Sequence, residues 1–438
     1  MSAKKDIFTF LNIIVMGSGC AARGQWVKGL LLFAAQVFYI IFMVTFGVNA
    51  LYLFRTLGLT EQHTVWNEAL QINQVVRGDN SMIILIFGVI SIIVSAAFLV
   101  LCVMNIRLEN QAARLLAAGK KPPTFKEDLH TLWHDKYHVV LLTLPTLGIM
   151  LFTVVPLIFM ILMAFTNFDR MHQPPGRLFT WVGFANFADV FYANQRLSGT
   201  FFAILRWTLT WAVIATASNY IGGMALALLI NKKGIRFKSM WRSFFVATIA
   251  VPQFVSLLLM RQLLNDNGTL NVILMNWGLI SEPIRFLGTH ARATVLLVNL
   301  WVGIPFTLLI TTGILMNIPE DIYESAKLDG AGAITMFRKI TLPYMLFVTT
   351  PYLITQFVGN INNFNVIFLT TGGGPATLDL YQAGRTDLLI TWLYSLTIND
   401  QDFRLASTIG ILIFMILATF SLVSYNLLAS SKREEEFS

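Results

Sequence analysis

The apolar residues of this chain fall in long blocks separated by short polar or basic stretches, and neither helix-period amphipathicity nor strand alternation dominates. Eight blocks lack Asp, Glu, Lys and His, hold no Arg apart from Arg292 at the edge of one, and are long enough to cross a bilayer core of about 30 Å: 30–53, 81–105, 139–165, 207–230, 243–260, 292–316, 343–368 and 405–429. In hydrocarbon every backbone N–H and C=O must be satisfied within the segment, so uninterrupted apolar blocks predict helices. The pattern predicts an all-α, polytopic helical membrane protein with about eight transmembrane helices.

Composition sharpens this reading. Of 438 residues, 56% are hydrophobic and 12% charged, and the mean hydropathy is +0.66, which excludes an ordinary cytosolic enzyme. The net charge of +8 invites a nucleic-acid reading, but the placement of the positives argues against one. With the N-terminus inside, the inner segments carry 20 of the 31 basic residues, among them Lys4, Lys5, Arg107, Lys120, Lys121, Lys232, Lys233, Arg338 and Arg433. That excess predicts both termini on the cytoplasmic side. Residues 7–28 read as an interfacial amphipathic segment leading into the first span. The run before Cys20 has a lipoprotein-signal flavour but lacks the usual Leu, and Cys20 and Cys102, both near the inner face, predict no disulfide.

With no Asp, Glu, Lys or His in the spans, and Arg292 only at an edge, the chain has no evident place to bind or relay a driving ion. A secondary sugar carrier or a membrane enzyme would need one. The spans carry neutral hydrogen-bonding groups beside aromatics instead: Asn299, Trp301 and Phe306 in the sixth, and Gln356, Asn360, Asn362 and Asn363 in the seventh. In one helix Gln356, Asn360 and Asn363 share a face. Amides both donate and accept, as sugar hydroxyls require, and aromatic faces suit the apolar faces of pyranose rings. Interhelical hydrogen bonding explains the same residues, and composition alone leaves both readings open.

After the sixth span, Asn317-Ile-Pro-Glu-Asp-Ile-Tyr-Glu-Ser-Ala-Lys-Leu-Asp-Gly330 predicts a short helix outside the membrane. Pro319 suits its first position, Glu320 and Asp321 complement the helix dipole, and Gly330 suits its end. Ile322, Ala326 and Asp329 lie on one side, with Ser325 and Leu328 nearby, a surface fit for a groove on another protein. A second short helix, 333–340, leads to Pro343.

Three other motifs carry less. Gly372-Gly373-Gly374-Pro375 reads as a turn, not a phosphate loop, and no Gly-x4-Gly-Lys-Ser/Thr sequence occurs. His130, His134 and His138 have the spacing of metal ligands along a helix, but a solvated inner helix explains them, and no metal site is predicted. The aromatic stretch 179–191 reads as a membrane-boundary belt.

Glu324-Ser325-Ala326, then Gly330, then Ile340-Thr341-Leu342-Pro343 resembles the Glu-Ala-Ala loop of the membrane subunits of ATP-binding-cassette importers, with Ser325 the one small-for-small departure. Residues 360–375, Thr386-Asp387-Leu388-Leu389 and Gln401-Asp402-Phe403 are similar to the larger permease subunit of maltose/maltodextrin importers. The resemblance implies a type I importer permease of the bacterial cytoplasmic membrane. It implies a terminal segment 1–29, two extra helices over 30–137, a six-helix core over 138–429 that includes the coupling loop 317–343, and a cytoplasmic tail 430–438. It implies sugar contacts at Asn299, Val302, Gly303, Phe306, Gln356, Gly359, Asn360 and Asn363, of which Phe306, Gln356 and Gly359 differ in type from the best-known members. It implies an ATPase contact through Tyr323, Glu324, Ser325, Ala326, Leu328, Asp329 and Gly330. The implied cargo is a maltodextrin-like oligosaccharide, or else another neutral oligosaccharide. The implied partners are a second permease subunit, two ATPase subunits that bind ATP and Mg, and an extracellular sugar-binding protein. The chain itself would hold no cofactor and catalyse no covalent change. The outer segment 166–206 is shorter than the large outer domain of enteric members, which leaves less surface for the binding protein.

Overall fold

The computed structural model describes residues 7–427 apart from Lys233; Lys4, Lys5, the end of the eighth predicted span at 428–429 and the tail 430–438 lie outside the described residues. The chain divides after Gly183 into two compact units.

In the first unit the segment 7–28 is two short helices, Ile7–Ile14 and Ser18–Ala22, rather than one amphipathic run. Gly17, at φ +82°, breaks them, and its peptide packs so closely on Gly29 that no side chain fits. Polar groups of the second span hold this hairpin. The Asn105 amide donates to the Asn12 carbonyl at 3.0 Å and accepts from the Gly17 N–H at 3.0 Å, and Arg23 forms an ion pair with Glu109. Cys20 is buried and free, and burial pushes its thiol pKa up. The first span follows as Trp26–Phe54, the second as Ser81–Ala117 capped by Asn80, and the third as Tyr137–Met163.

Between the first two spans a β-hairpin pairs His63–Asn67 with Ile72–Val76, in register His63 to Val76, a small exception to an all-helical chain. The three histidines do not share one helix. Phe125–Trp133 ends at His134, and His138 belongs to the next helix. His130 and His134 stack ring on ring at 3.9 Å, and among the described residues no cluster suits a metal ion. The aromatic stretch is partly core rather than wholly belt: Phe179 is fully buried against Phe168, while Trp181 donates to the Phe54 carbonyl at 2.9 Å.

In the second unit the fourth span, Gln195–Asn231, runs against the sixth, Ala291–Met316. Gly222 and Gly223 permit the close approach: a Cβ at 223 would stand 2.6 Å from the Thr307 Cβ. Gly223→Val should therefore lower the stability of the purified protein by about 1–3 kcal/mol. A fall in its thermal aggregation midpoint in detergent checks this, and an unchanged midpoint would refute the contact. Buried Trp207, Trp211, Val295, Ile367 and Leu388 form one core cluster; Trp392, Leu396 and Ile409 belong to another.

Two predicted spans are broken. The fifth is Lys238–Ala250 plus Gln253–Leu263, bent by 90° where Pro252 interrupts the helix. The seventh is Leu342–Ile361 and then Phe364–Thr371, interrupted at Asn362. The eighth, Phe403–Leu427, is continuous, and a short apolar helix, Leu389–Ile398, precedes it. Among the described residues each of the eight predicted spans is thus mainly helical, with six helices long and apolar enough to cross a membrane alone and a seventh if the bent pair counts as one.

Candidate functional site

The break after Ile361 corrects the single-face picture of the seventh span. Asn363 is not on the same helix as Gln356 and Asn360: it caps the next one, its side-chain Oδ1 accepting from the Val366 N–H at 3.2 Å. Breaking the helix lets three amides converge from two spans. The Asn363 side-chain amide donates to Asn360 Oδ1 at 3.3 Å and to Asn299 Oδ1 at 3.4 Å. Asn360 in turn donates to the Thr216 hydroxyl at 3.0 Å, and Trp211 donates to the Asn360 carbonyl at 3.1 Å. Asn299 and Asn360 are buried. These three amides therefore form a junction that ties spans four, six and seven together, the interhelical role that composition had left open.

The junction is not fully satisfied. Among the described residues, Asn299 Nδ2 and Asn219 Oδ1 are buried without a hydrogen-bond partner, and Gly303 lies against the Asn219 side chain so closely that a Cβ there would fall 2.2 Å from its nitrogen. A buried unmatched donor and acceptor cost free energy unless a water or ligand hydroxyl meets them.

Four of the predicted contacts lie outside the junction, two of them exposed. Phe306 is 47% exposed, Gln356 and Val302 are half-buried, and Gly359 is exposed, with no atom within 4 Å of where a Cβ would stand. Val302 and Phe306 line a cavity of about 330 Å³ under the elbow of the fifth span. Thr307 and Tyr352, unremarked in the sequence, pair their hydroxyls at 3.0 Å beside Phe306. Asn219 was legible in principle, as an amide within an apolar run. Thr216 and Tyr352 gave no signal apart from their place in the fold.

The short helix after span six is Glu320–Leu328, with Pro319 as its N-cap rather than its first residue. Gly330, at φ +79°, completes a Schellman ending: Ala331 N–H donates to the Ala326 carbonyl at 2.9 Å and Gly330 N–H to the Lys327 carbonyl at 3.0 Å. Tyr323 and Ala326 turn half inward, while Glu324, Ser325, Leu328, Asp329 and Gly330 are exposed, Leu328 by 89%. The predicted helix 333–340 is Ala333–Met336, passing through a π turn, Phe337–Thr341, straight into span seven. The Tyr323 hydroxyl meets that of Thr341 at 2.9 Å, fastening the outlying helix to the foot of the span that bears Gln356, Gly359 and Asn360.

At the other end of the bundle, Gly372 and Gly373 take left-handed φ and form a turn, as expected. Gly373 packs on the Asp387 carboxylate, which accepts from the Gly384 N–H and the Thr391 hydroxyl, each at 2.7 Å. Burial pushes the Asp387 carboxyl above the usual carboxylate range, and those two hydrogen bonds pull it back in part.

Broken and continuous spans around an uncharged amide junction, with an exposed helix fastened to one of them, define a multi-pass membrane transport component. The family of binding-protein-dependent transport system inner membrane components matches residues 220–434. Over 427 residues, 96% of this chain and 97% of the relative, the sequence is 35% identical to the galactooligosaccharides transport system permease protein GanP of Bacillus subtilis (strain 168). It is 33% identical over 422 residues, 94% and 93% of the two chains, to the maltodextrin transport system permease protein MdxF of the same organism. A bacterial alginate ABC transporter, solved in complex with an alginate pentasaccharide-bound periplasmic protein, shares the fold with a TM-score of 0.55 at 21% identity, covering 68% of this chain and 98% of that one. The chain belongs to the inner membrane component family of binding-protein-dependent transport systems, and is a permease of the bacterial cytoplasmic membrane.

Proposed function

We propose that this chain is one of two membrane-spanning subunits of an ATP-driven importer of maltodextrin-like oligosaccharides. Two ATPase subunits, which bind the ATP and Mg, would sit at the cytoplasmic face, and an extracellular sugar-binding protein would deliver the cargo. The observation that carries the reading is the Tyr323–Thr341 bond: it joins an exposed, small-residued helix to the span whose upper half presents Gln356 and Gly359. The six spans of 138–429 would form the permease core, with those of 30–137 added before it.

In this reading the energy enters from outside the chain. ATPase closure would displace the Glu320–Leu328 helix, and span seven, rooted in it at Thr341, would tilt about its break at Asn362. The amide junction would shift with it and expose the sugar face to one side of the membrane and then the other. A ligand favours one state only through differential contacts, and the unmatched Asn299 and Asn219 groups supply a place for them. None of the eight proposed sugar-contact residues is charged, which suits a neutral cargo.

The 35% identity to a galactooligosaccharide permease supports a second cargo, galacto-oligosaccharides, handled by the same machinery. Reconstituting the complex and comparing ATPase stimulation by binding protein loaded with each sugar class tests both. Stimulation by neither would overturn the oligosaccharide reading.

Tyr323→Phe tests the linkage. Loss of one hydrogen bond worth about 1 kcal/mol should lower sugar moved per ATP hydrolysed a few-fold while hydrolysis continues. An unchanged ratio would show that the bond transmits nothing.

A further inference from the structure

Away from the amide junction, the outer parts of spans four and six meet the turn that follows span seven at a basic corner. Trp207 Nε1 donates to the Thr386 carbonyl at 3.1 Å, and Arg292 Nε donates to that of the adjacent residue, Arg385, at 2.8 Å. The Arg292 guanidinium lies over the Trp207 ring, 4.4 Å from its centroid. One of its nitrogens is thus spent and its position fixed, while its two terminal NH₂ groups carry no hydrogen bond among the described residues. The topology that puts the Glu320–Leu328 helix inside puts this corner outside.

Arg292 and Arg385 line one cavity of about 520 Å³, together with His290, Thr377 and Asp379. Both arginines are exposed. Like charges held side by side repel unless a counter-charge meets them. Among the described residues none does: Asp379, on the cavity wall, forms no ion pair with either. The Thr377 hydroxyl oxygen is likewise buried without a hydrogen-bond partner among the described residues. Packing on Trp207 accounts for Arg292. It does not account for Arg385, whose side chain makes no hydrogen bond, ion pair or ring contact among the described residues.

We propose that this cavity is a seat for an acidic side chain of the sugar-binding protein, its carboxylate gripped between Arg292 and Arg385. A guanidinium presents paired N–H groups that match the two oxygens of a carboxylate, and opposite charge both speeds encounter and fixes register. The proposal rests on the importer reading above and adds where the loaded binding protein is recognised. Such a seat suits a chain whose short outer segment, 166–206, leaves the binding protein little surface elsewhere. Because Arg292 also holds the Arg385 carbonyl, seating a carboxylate acts on the turn that ends span seven.

The test uses the whole importer in nanodiscs of phosphatidylcholine, with and without phosphatidylglycerol, titrated at low and high salt with binding protein loaded with maltodextrin or galacto-oligosaccharide. The readout is the binding-protein concentration that gives half-maximal ATPase stimulation. Arg385→Gln leaves the backbone carbonyl available to Arg292. It should raise that concentration about tenfold at low salt, with the maximal rate still reached, and flatten its dependence on salt. Arg385→Lys keeps the charge and should restore the salt dependence, while Arg292→Gln should raise the concentration at least as far. Wild-type concentration and salt dependence in both Gln variants would overturn the seat and leave the importer reading intact. So would a shift seen only with phosphatidylglycerol present, which would assign the arginines to lipid headgroups. Wild-type importer that no loaded binding protein stimulates would overturn the importer reading, and the seat with it.

Discussion

Gly330→Asp should abolish transport while leaving the protein inserted in the membrane at wild-type levels. Gly330 sits at φ +79° in the Schellman ending of the Glu320–Leu328 helix, where a side chain carries left-handed strain of about 1–2 kcal/mol. Strain alone would not stop the machine, since a Cβ at 330 meets nothing within 4 Å in the isolated chain. The larger effect lies in the proposed ATPase contact. A carboxylate added beside Asp329, on the exposed side that carries Leu328, would have to be desolvated without a partner on docking. An uncompensated buried charge costs several kcal/mol, enough to lower uptake by about a hundredfold or more. Gly330→Ala separates the two causes, because it keeps the strain and omits the charge; it should retain most of the uptake. Equal loss in both variants would assign the effect to the helix ending, and wild-type uptake in Gly330→Asp would refute the contact.

Asn360→Leu should reduce sugar uptake by about tenfold to a hundredfold without preventing assembly with the ATPase. The side chain is buried, donates to Thr216 and accepts from Asn363, so an apolar replacement removes two hydrogen bonds at about 1 kcal/mol each, although Asn363 keeps its bond to Asn299. Trp211 keeps its bond, which is to the backbone carbonyl. The damage is therefore confined to the junction of spans four, six and seven, some distance in sequence from the Glu320–Leu328 helix. Co-purification of the ATPase with unimpaired basal hydrolysis, alongside slow uptake, is the expected pair of results. Unchanged uptake would show that the junction is no part of the path.

The spans were legible because a bilayer leaves the chain few options: a run of some 20 apolar residues must satisfy its own backbone, and helix is the solution. The same reasoning could not see the breaks. Pro252 was visible, but whether a proline kinks a helix or turns it by 90° depends on what packs around it. The spacing of Asn363 fits the face of Gln356 and Asn360 on one helix; it lies elsewhere because an Asn side chain can cap a new helix instead of continuing the old one. The β-branched and aromatic residues of His63–Asn67 and Ile72–Val76 were available as a strand signal and were masked by the long apolar blocks on either side. By contrast the outlying helix was readable from Glu320, Asp321 and Gly330, whose preferences are local. Its fastening to span seven through Tyr323 and Thr341, 18 residues apart, is tertiary and left no trace in the pattern.

The central claim is that a motor on the cytoplasmic side acts through the Glu320–Leu328 helix. Ser325 is exposed on that helix, and its replacement by Cys gives a handle for cross-linking in the assembled importer, where native Cys20 is buried. The account predicts a Ser325→Cys adduct with the ATPase subunit that forms in inside-out vesicles and is untouched by impermeant thiol reagents in intact cells. Labelling of that position from outside intact cells, with no adduct to the ATPase, would contradict it.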